Sequence, residues 1–137
     1  MPSPQVFISH LARDKAYARA LANALRREGA EVWVEAPSTG ARWSEEIGSA
    51  INQATVFVAL VSPDFLSSQW GIFELGAALG RGWGPTPSVV LPVLIRGARL
   101  RDLPGPVRQL HALDARGLTP RDVSKRVVRL IRDATAP

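Results

Sequence analysis

The feature that most limits what this chain can fold into is an alternation. Short, nearly unbroken apolar runs are each followed by a segment of helical period. Val6-Phe7-Ile8, Val32-Trp33-Val34, Thr55 to Val61 and Ser88 to Ile95 are the runs. A strand that is apolar at consecutive positions is one buried on both faces. Between the first two lies KAYARALANALRRE, in which Tyr17, Leu21, Ala24 and Leu25 make one helical stripe. Asp14 stands where a helix cap belongs, Arg26 and Arg27 suit the negative helix end, and Gly29 terminates it.

The rest of the chain repeats the unit. A turn-rich loop from Glu35 to Arg42 leads through Trp43 and Ser44 to a helix with Glu45 and Glu46 in its first turn and a stripe of Ile47, Ala50, Ile51 and Ala54. Ser62, Pro63 and Asp64 end the third strand and open the way to a third helix over Ser67–Leu79, with Ser67 and Ser68 as its caps. Pro92 removes one ladder hydrogen bond from the fourth strand, which predicts a bulge or a pairing gap. After an irregular connection over residues 96–108 comes a weak fifth strand, Leu110 to Leu113. A last helix follows, capped by Thr119, with Pro120 first, Asp122 third, and Val123, Val127, Leu130 and Ile131 buried. The order β-α-β-α-β-α-β-(irregular)-β-α predicts an α/β fold, a parallel sheet covered by helices on both faces. Ligands bind such sheets beyond the carboxyl ends of the strands. Ser9, the loop after Val34, and Ser62 with the helix behind it converge on that rim.

Composition removes several function classes. The chain has no cysteine, which excludes disulfides, cysteine-ligated zinc and thiol catalysis. His10 and His111 are its only histidines, so no metal site is expected. No apolar run spans a bilayer, and MPSPQ lacks the regions of a signal peptide, so a cytoplasmic protein with no membrane partner is expected. The net charge of +5 sits entirely in the second half. The arginines there are scattered without interleaved aromatics, so they read as solvated faces and direct binding of nucleic acid is not expected.

Little on the rim looks like a familiar catalytic motif. The glycines of 76–84 lie at a helix end, whereas a dinucleotide fingerprint lies between a strand and a helix start. Ser9 and His10 are chain neighbours, and neighbours on a strand point to opposite faces, so they do not make a nucleophile and base. Glu74 remains, four residues after Trp70 and therefore on the same helix face. It is either a helix-edge charge that complements the helix dipole, or a rim carboxylate able to hydrogen-bond ribose hydroxyls and stabilise an oxocarbenium-like transition state.

The series VFISH (6–10), EVWVE (31–35), the Pro37, Gly40 and Trp43 loop, AINQATVFVALVSPDFLSSQW (50–70), FELGAA (73–78) and VVLPVL (89–94) resembles a Toll/interleukin-1 receptor (TIR) domain of the bacterial type. The resemblance covers almost the whole chain in the right order. It implies one domain, 1–137, with the flavodoxin-like TIR fold: a five-stranded parallel sheet of order 2-1-3-4-5 with helices on both faces. A TIR domain this short, with no sensor domain, implies a fragment of a longer protein or a partner on another chain. In NAD-cleaving members a glutamate in a W-x-x-x-E context is essential, and Trp70-Gly-Ile-Phe-Glu74 matches it, so Glu74 is the implied catalytic residue. The implied reaction cleaves the nicotinamide–ribose bond of NAD+ to give nicotinamide with ADP-ribose or a cyclic ADP-ribose isomer. Nicotinamide leaves neutral from a cationic glycoside, so no general acid, metal or separate cofactor is implied.

Ser9 and His10 match the positions where the family lines the nicotinamide-side ribose pocket with Ser followed by Tyr. Histidine at position 10 is a departure, and a partly solvated loop residue is the plain alternative. Trp70 lies beside Glu74, and Gly71 leaves space next to it. Gly40 and Trp43 belong to the loop that family members use to gate the pocket and to contact the next molecule, though Trp33 and Trp43 also read as ordinary core residues. The resemblance further implies activity through homotypic TIR–TIR assembly and a role in bacterial antiphage defence. Three alternatives stand beside this reading: a non-enzymatic TIR–TIR adaptor, a mimic of host TIR signalling, and a nucleoside deoxyribosyltransferase-like enzyme. The loop from Glu35 to Trp43 argues against the last.

Overall fold

A parallel five-stranded sheet, its strands in the order 2-1-3-4-5 by position along the chain, forms the centre of the molecule. The computed structural model describes residues 4–35, 56–66, 89–99, 101 and 112–135. Its elements are β1 (Gln5–Ser9), a 3₁₀ turn (Ala12–Asp14), α1 (Lys15–Arg27), β2 (Glu31–Glu35), β3 (Val56–Val61), α2 (Pro63–Leu66), β4 (Val89–Leu94), β5 (Leu113–Asp114) and α3 (Pro120–Thr135). The register is unbroken from strand to strand: Val6 faces Val32 and Val56, and Val56 faces Val89. This is the flavodoxin-like strand order, 2-1-3-4-5, expected from the sequence.

Period-two alternation divides the sheet into two buried faces. Val6, Ile8, Val56, Val58, Leu60, Leu91 and Val93 meet Leu21, Leu25, Val123 and Val127 in one cluster, so α1 and α3 share this face. Truncating Leu21 or Leu25 to alanine is expected to cost about 3 kcal/mol. On the other face Phe7 stacks on Phe57 with ring centroids 5.3 Å apart. Trp33 continues that row on β2, opposite Phe7. It is 40% exposed because β2 is an edge strand, which overturns its reading as a core residue.

The helix ends follow local chemistry. Gly29 adopts φ +95° and lets the Ala30 and Gly29 amides donate to the Leu25 and Arg26 carbonyls, closing α1 as the sequence suggests. At α3, the Asp122 amide donates to Thr119 Oγ1 (3.2 Å) and the Thr119 amide donates to an Asp122 carboxylate oxygen (3.0 Å). That is the expected reciprocal cap. Pro92 makes no bulge, since β3 and β4 stay in register through Ala59–Pro92. The Ile95 amide donates to Val61 and the Leu94 carbonyl accepts from Ala115, so Pro92, two residues before Leu94, turns its missing donor toward β5. There the pairing begins only at Val93, and the gap is harmless.

Other expectations need correction as well. Asp14 does not cap α1: its side chain is buried and pairs with Arg96 Nε, so Arg96 is no free solvated charge either. The fifth strand is Leu113–Asp114, displaced toward the carboxyl end from the expected stretch. A helix already begins at Pro63, where Ser62 Oγ accepts the Phe65 amide at 3.1 Å. The expected helices over 43–54 and 67–79 lie outside the described residues.

Candidate functional site

The carboxyl ends of the strands bring together Ser9 and His10 from β1, Ser62 from β3, and two tight turns after β4 and β5. Ser9 is fully buried and sits in the row of Ala59 and Pro92. His10 follows at the strand exit with only 2% exposure, so it is not a solvated loop residue. Its ring nitrogens make no hydrogen bond of good geometry, only a weak one with the Ile8 backbone. A Ser9–His10 nucleophile pair is therefore absent, in line with their opposite faces. Burial holds the His10 imidazole below its usual pKa, against the attraction of Asp14, so the ring is neutral near neutral pH.

Two ion pairs tie the β1–α1 connection to the rim. Arg13 meets Asp64 at the start of α2, with both side chains exposed, and Arg96 meets the buried Asp14. The first is worth little in water, whereas the second compensates a carboxylate that has lost its hydration. Arg13–Asp64 joins residues 51 positions apart and Arg96–Asp14 residues 82 apart. No local sequence pattern announces such pairs.

Among the described residues, three open cavities lie around this end of the sheet. A groove of about 470 Å³ is lined by His10, Lys15, Arg19, Asn23, Arg26 and Val34. A second, of about 440 Å³, lies between Tyr17 and the Arg96-Gly97 and Arg116-Gly117 turns. The third, of about 750 Å³, lies against Leu94, Ala98, Arg101 and Asp114. Of the residues singled out in the sequence, the structure brings Ser9 and His10 together. Glu74, Trp70, Trp43 and Gly40 lie outside the described residues. Among the described residues no cluster of three or more acidic, histidine or cysteine side chains could hold a metal ion, and no helix is long and apolar enough to cross a membrane.

A parallel sheet of order 2-1-3-4-5 with its loops gathered at the carboxyl rim defines a doubly wound, flavodoxin-like α/β domain. Within that class the chain belongs to the TIR domain family, whose model matches residues 6–131. The TIR domains of the RPS4 and RRS1 heterodimer superpose with a TM-score of 0.69 at 19% identity, covering 96% of this chain and 97% of theirs. A metazoan TIR-STING receptor from C. gigas gives 0.66 at 23% identity, over 96% of this chain and 40% of its own. In sequence the chain is 32% identical, over 90 residues, to the 2′ cyclic ADP-D-ribose synthase BtTIR of Bacteroides thetaiotaomicron. That match takes in 64% of this chain and 31% of the relative, so the chain spans about a third of that protein's length.

Proposed function

We propose that the chain is an NAD+-cleaving TIR domain that breaks the nicotinamide–ribose bond and releases nicotinamide with ADP-ribose or a cyclic ADP-ribose isomer. The observation that carries this reading is the 32% likeness to a TIR protein named as a cyclic ADP-D-ribose synthase, together with the family match over residues 6–131. Glu74, in the Trp70–Glu74 motif, is the proposed catalytic residue. Its carboxylate stabilises the positive charge that develops on the ribose as the neutral nicotinamide departs. Water then traps the ribosyl cation to give ADP-ribose, or an atom of the substrate's own adenosine half closes the ring. Ser9, His10, Gly40, Trp43 and Trp70 are the proposed substrate contacts, with His10 at the exit of β1. The domain consumes NAD+ as substrate and uses no separate cofactor or metal.

The proposed active form is a homotypic TIR–TIR assembly, and the proposed setting is antiphage defence in the bacterial cytoplasm. The heterodimer of RPS4 and RRS1 supports the first point by likeness of fold alone. The test incubates the purified protein with NAD+, dilute and then concentrated. Nicotinamide and the ribose product are resolved by chromatography while assembly is followed by sedimentation. Nicotinamide release that rises faster than protein concentration is the expected result. An assembled sample that releases none would overturn the enzymatic reading and leave an adaptor that acts by TIR–TIR contact.

A further inference from the structure

The second half of the chain carries arginines that look scattered in sequence, and α3 gathers them. Arg121, Lys125 and Arg129 recur every four residues, so they stack on one helix face about 6 Å apart. All three are exposed, and Arg126 and Arg132 are exposed beside them. This face cannot turn inward, because Val123, Val127 and Ile131 hold the other side of the helix in the core. Among the described residues, Arg121, Lys125, Arg126 and Arg129 have no partner in an ion pair or a side-chain hydrogen bond. Lys125 and Arg126 attract Asp122, but that carboxylate is taken up by the Thr119 amide. Like charges one turn apart oppose helix formation, so the stripe weakens α3 and brings the fold no compensating contact. α1 packs beside α3 on the same face of the sheet and adds exposed Arg19 and Arg27 to the basic layer.

We propose that the outer face of α3 docks on the phosphate backbone of duplex DNA, without reading its sequence. A row of cations in fixed register meets what a duplex offers along each strand, a row of phosphates. Arginine takes a phosphate through two parallel donors, which suits Arg121 and Arg129 on either side of Lys125. Two rival surfaces fit less well. Helices that lie on a membrane bury an apolar face in it, and that of α3 is already taken by the core. Single strands are held by stacking their bases on aromatic side chains. Among the described residues the one large apolar side chain that is exposed, Trp33, belongs to the row of Phe7 and Phe57 on the opposite face of the sheet. The lack of interleaved aromatics therefore counts against single strands alone. The proposal rests on α3 and is independent of NAD+ cleavage.

The experiment follows the fluorescence anisotropy of a labelled duplex of about 20 base pairs with the purified protein, between about 50 and 200 mM salt. Three to four neutralised phosphates predict that affinity falls about a hundredfold over that range. Scrambling the base sequence should leave affinity unchanged. Arg129→Gln should lower the salt slope by about one. Lys125→Glu combined with Arg129→Glu should weaken binding about tenfold or more at the lower salt. Both variants alter exposed side chains, and an unchanged circular dichroism spectrum shows that they fold. The proposal is overturned by no binding at the lower salt, by affinity unchanged in both variants, or by tighter binding of a single strand of the same length. Release of the duplex by vesicles of anionic lipid at equal or lower phosphate concentration would also overturn it, in favour of a membrane surface.

Discussion

Two neighbouring turns carry the same Arg-Gly pair, yet the fold uses them differently. Ile95-Arg96-Gly97-Ala98 ends β4 and Ala115-Arg116-Gly117-Leu118 follows β5, and each closes with an amide donating to the carbonyl three residues back. Gly97 and Gly117 both take positive φ, which glycine accepts freely. Arg96 does so as well, at φ 52°, and Arg116 does not. A left-handed arginine is strained, and the compensation lies in its partner: Arg96 meets Asp14, which is fully buried, whereas Arg116 meets Asp114, whose side chain is 44% exposed. The same dipeptide is a tether in one turn and a surface pair in the other. What differs is whether the carboxylate can reach water.

This contrast can be broken by mutation. Arg96→Ala should be the most damaging change, at about 3 kcal/mol in urea unfolding, because it strands a buried carboxylate and keeps the strained backbone. Arg116→Ala should leave the midpoint where it is, since its partner stays hydrated. Equal losses from the two would mean that the turns, and not the buried partner, set the stability. Arg96→Gly sharpens the point, since it loses the ion pair but relieves the backbone, and should recover about 1 kcal/mol relative to Arg96→Ala. Ser62→Ala removes the hydroxyl that caps α2 and should cost about 1 kcal/mol, with hydrogen exchange faster at Phe65.

The smallest effect is one of pH. The neutral, buried His10 resists protonation in the folded state while the unfolded chain accepts a proton at the ordinary value, so the unfolded state binds more protons as pH falls below it. Stability should therefore decline from about pH 7 toward pH 5 and level off once the folded protein also binds the proton. His10→Gln should flatten that slope whatever it does to stability at neutral pH. A slope that the substitution leaves unchanged would place the responsible group elsewhere.

These contrasts also show which parts of the structure could be read from the chain. Local patterns sufficed where the cause is local. The stripe of α1, the Gly29 terminus, the Thr119–Asp122 cap and the apolar runs of β1, β3 and β4 all stand where periodicity and capping chemistry put them. The strand order came from the resemblance to TIR domains. Asp14 misled because an aspartate before a helix is a good cap, and only the return of the chain at Arg96, 82 residues later, offered a better partner. Trp33 misled because an apolar triplet looks alike on a central and an edge strand, and only sheet order distinguishes them. Ser62-Pro63 carried a readable signal, a cap followed by a first-turn proline, that sequence reasoning spent on a turn. At the rim, Ser9 and His10 stand together at the end of β1, and the burial of His10 had no signature in sequence.

The proposed NAD+ cleavage rests most directly on Glu74. The decisive measurement is the rate of nicotinamide release from NAD+ by Glu74→Gln beside the unmodified protein, at matched concentration and with assembly shown equal by sedimentation. A loss of about a hundredfold or more with assembly intact is the predicted result, the size expected when a preorganised charge facing a developing cation is neutralised. Equal rates in the two proteins would contradict the proposed site while leaving the fold and the family unchanged.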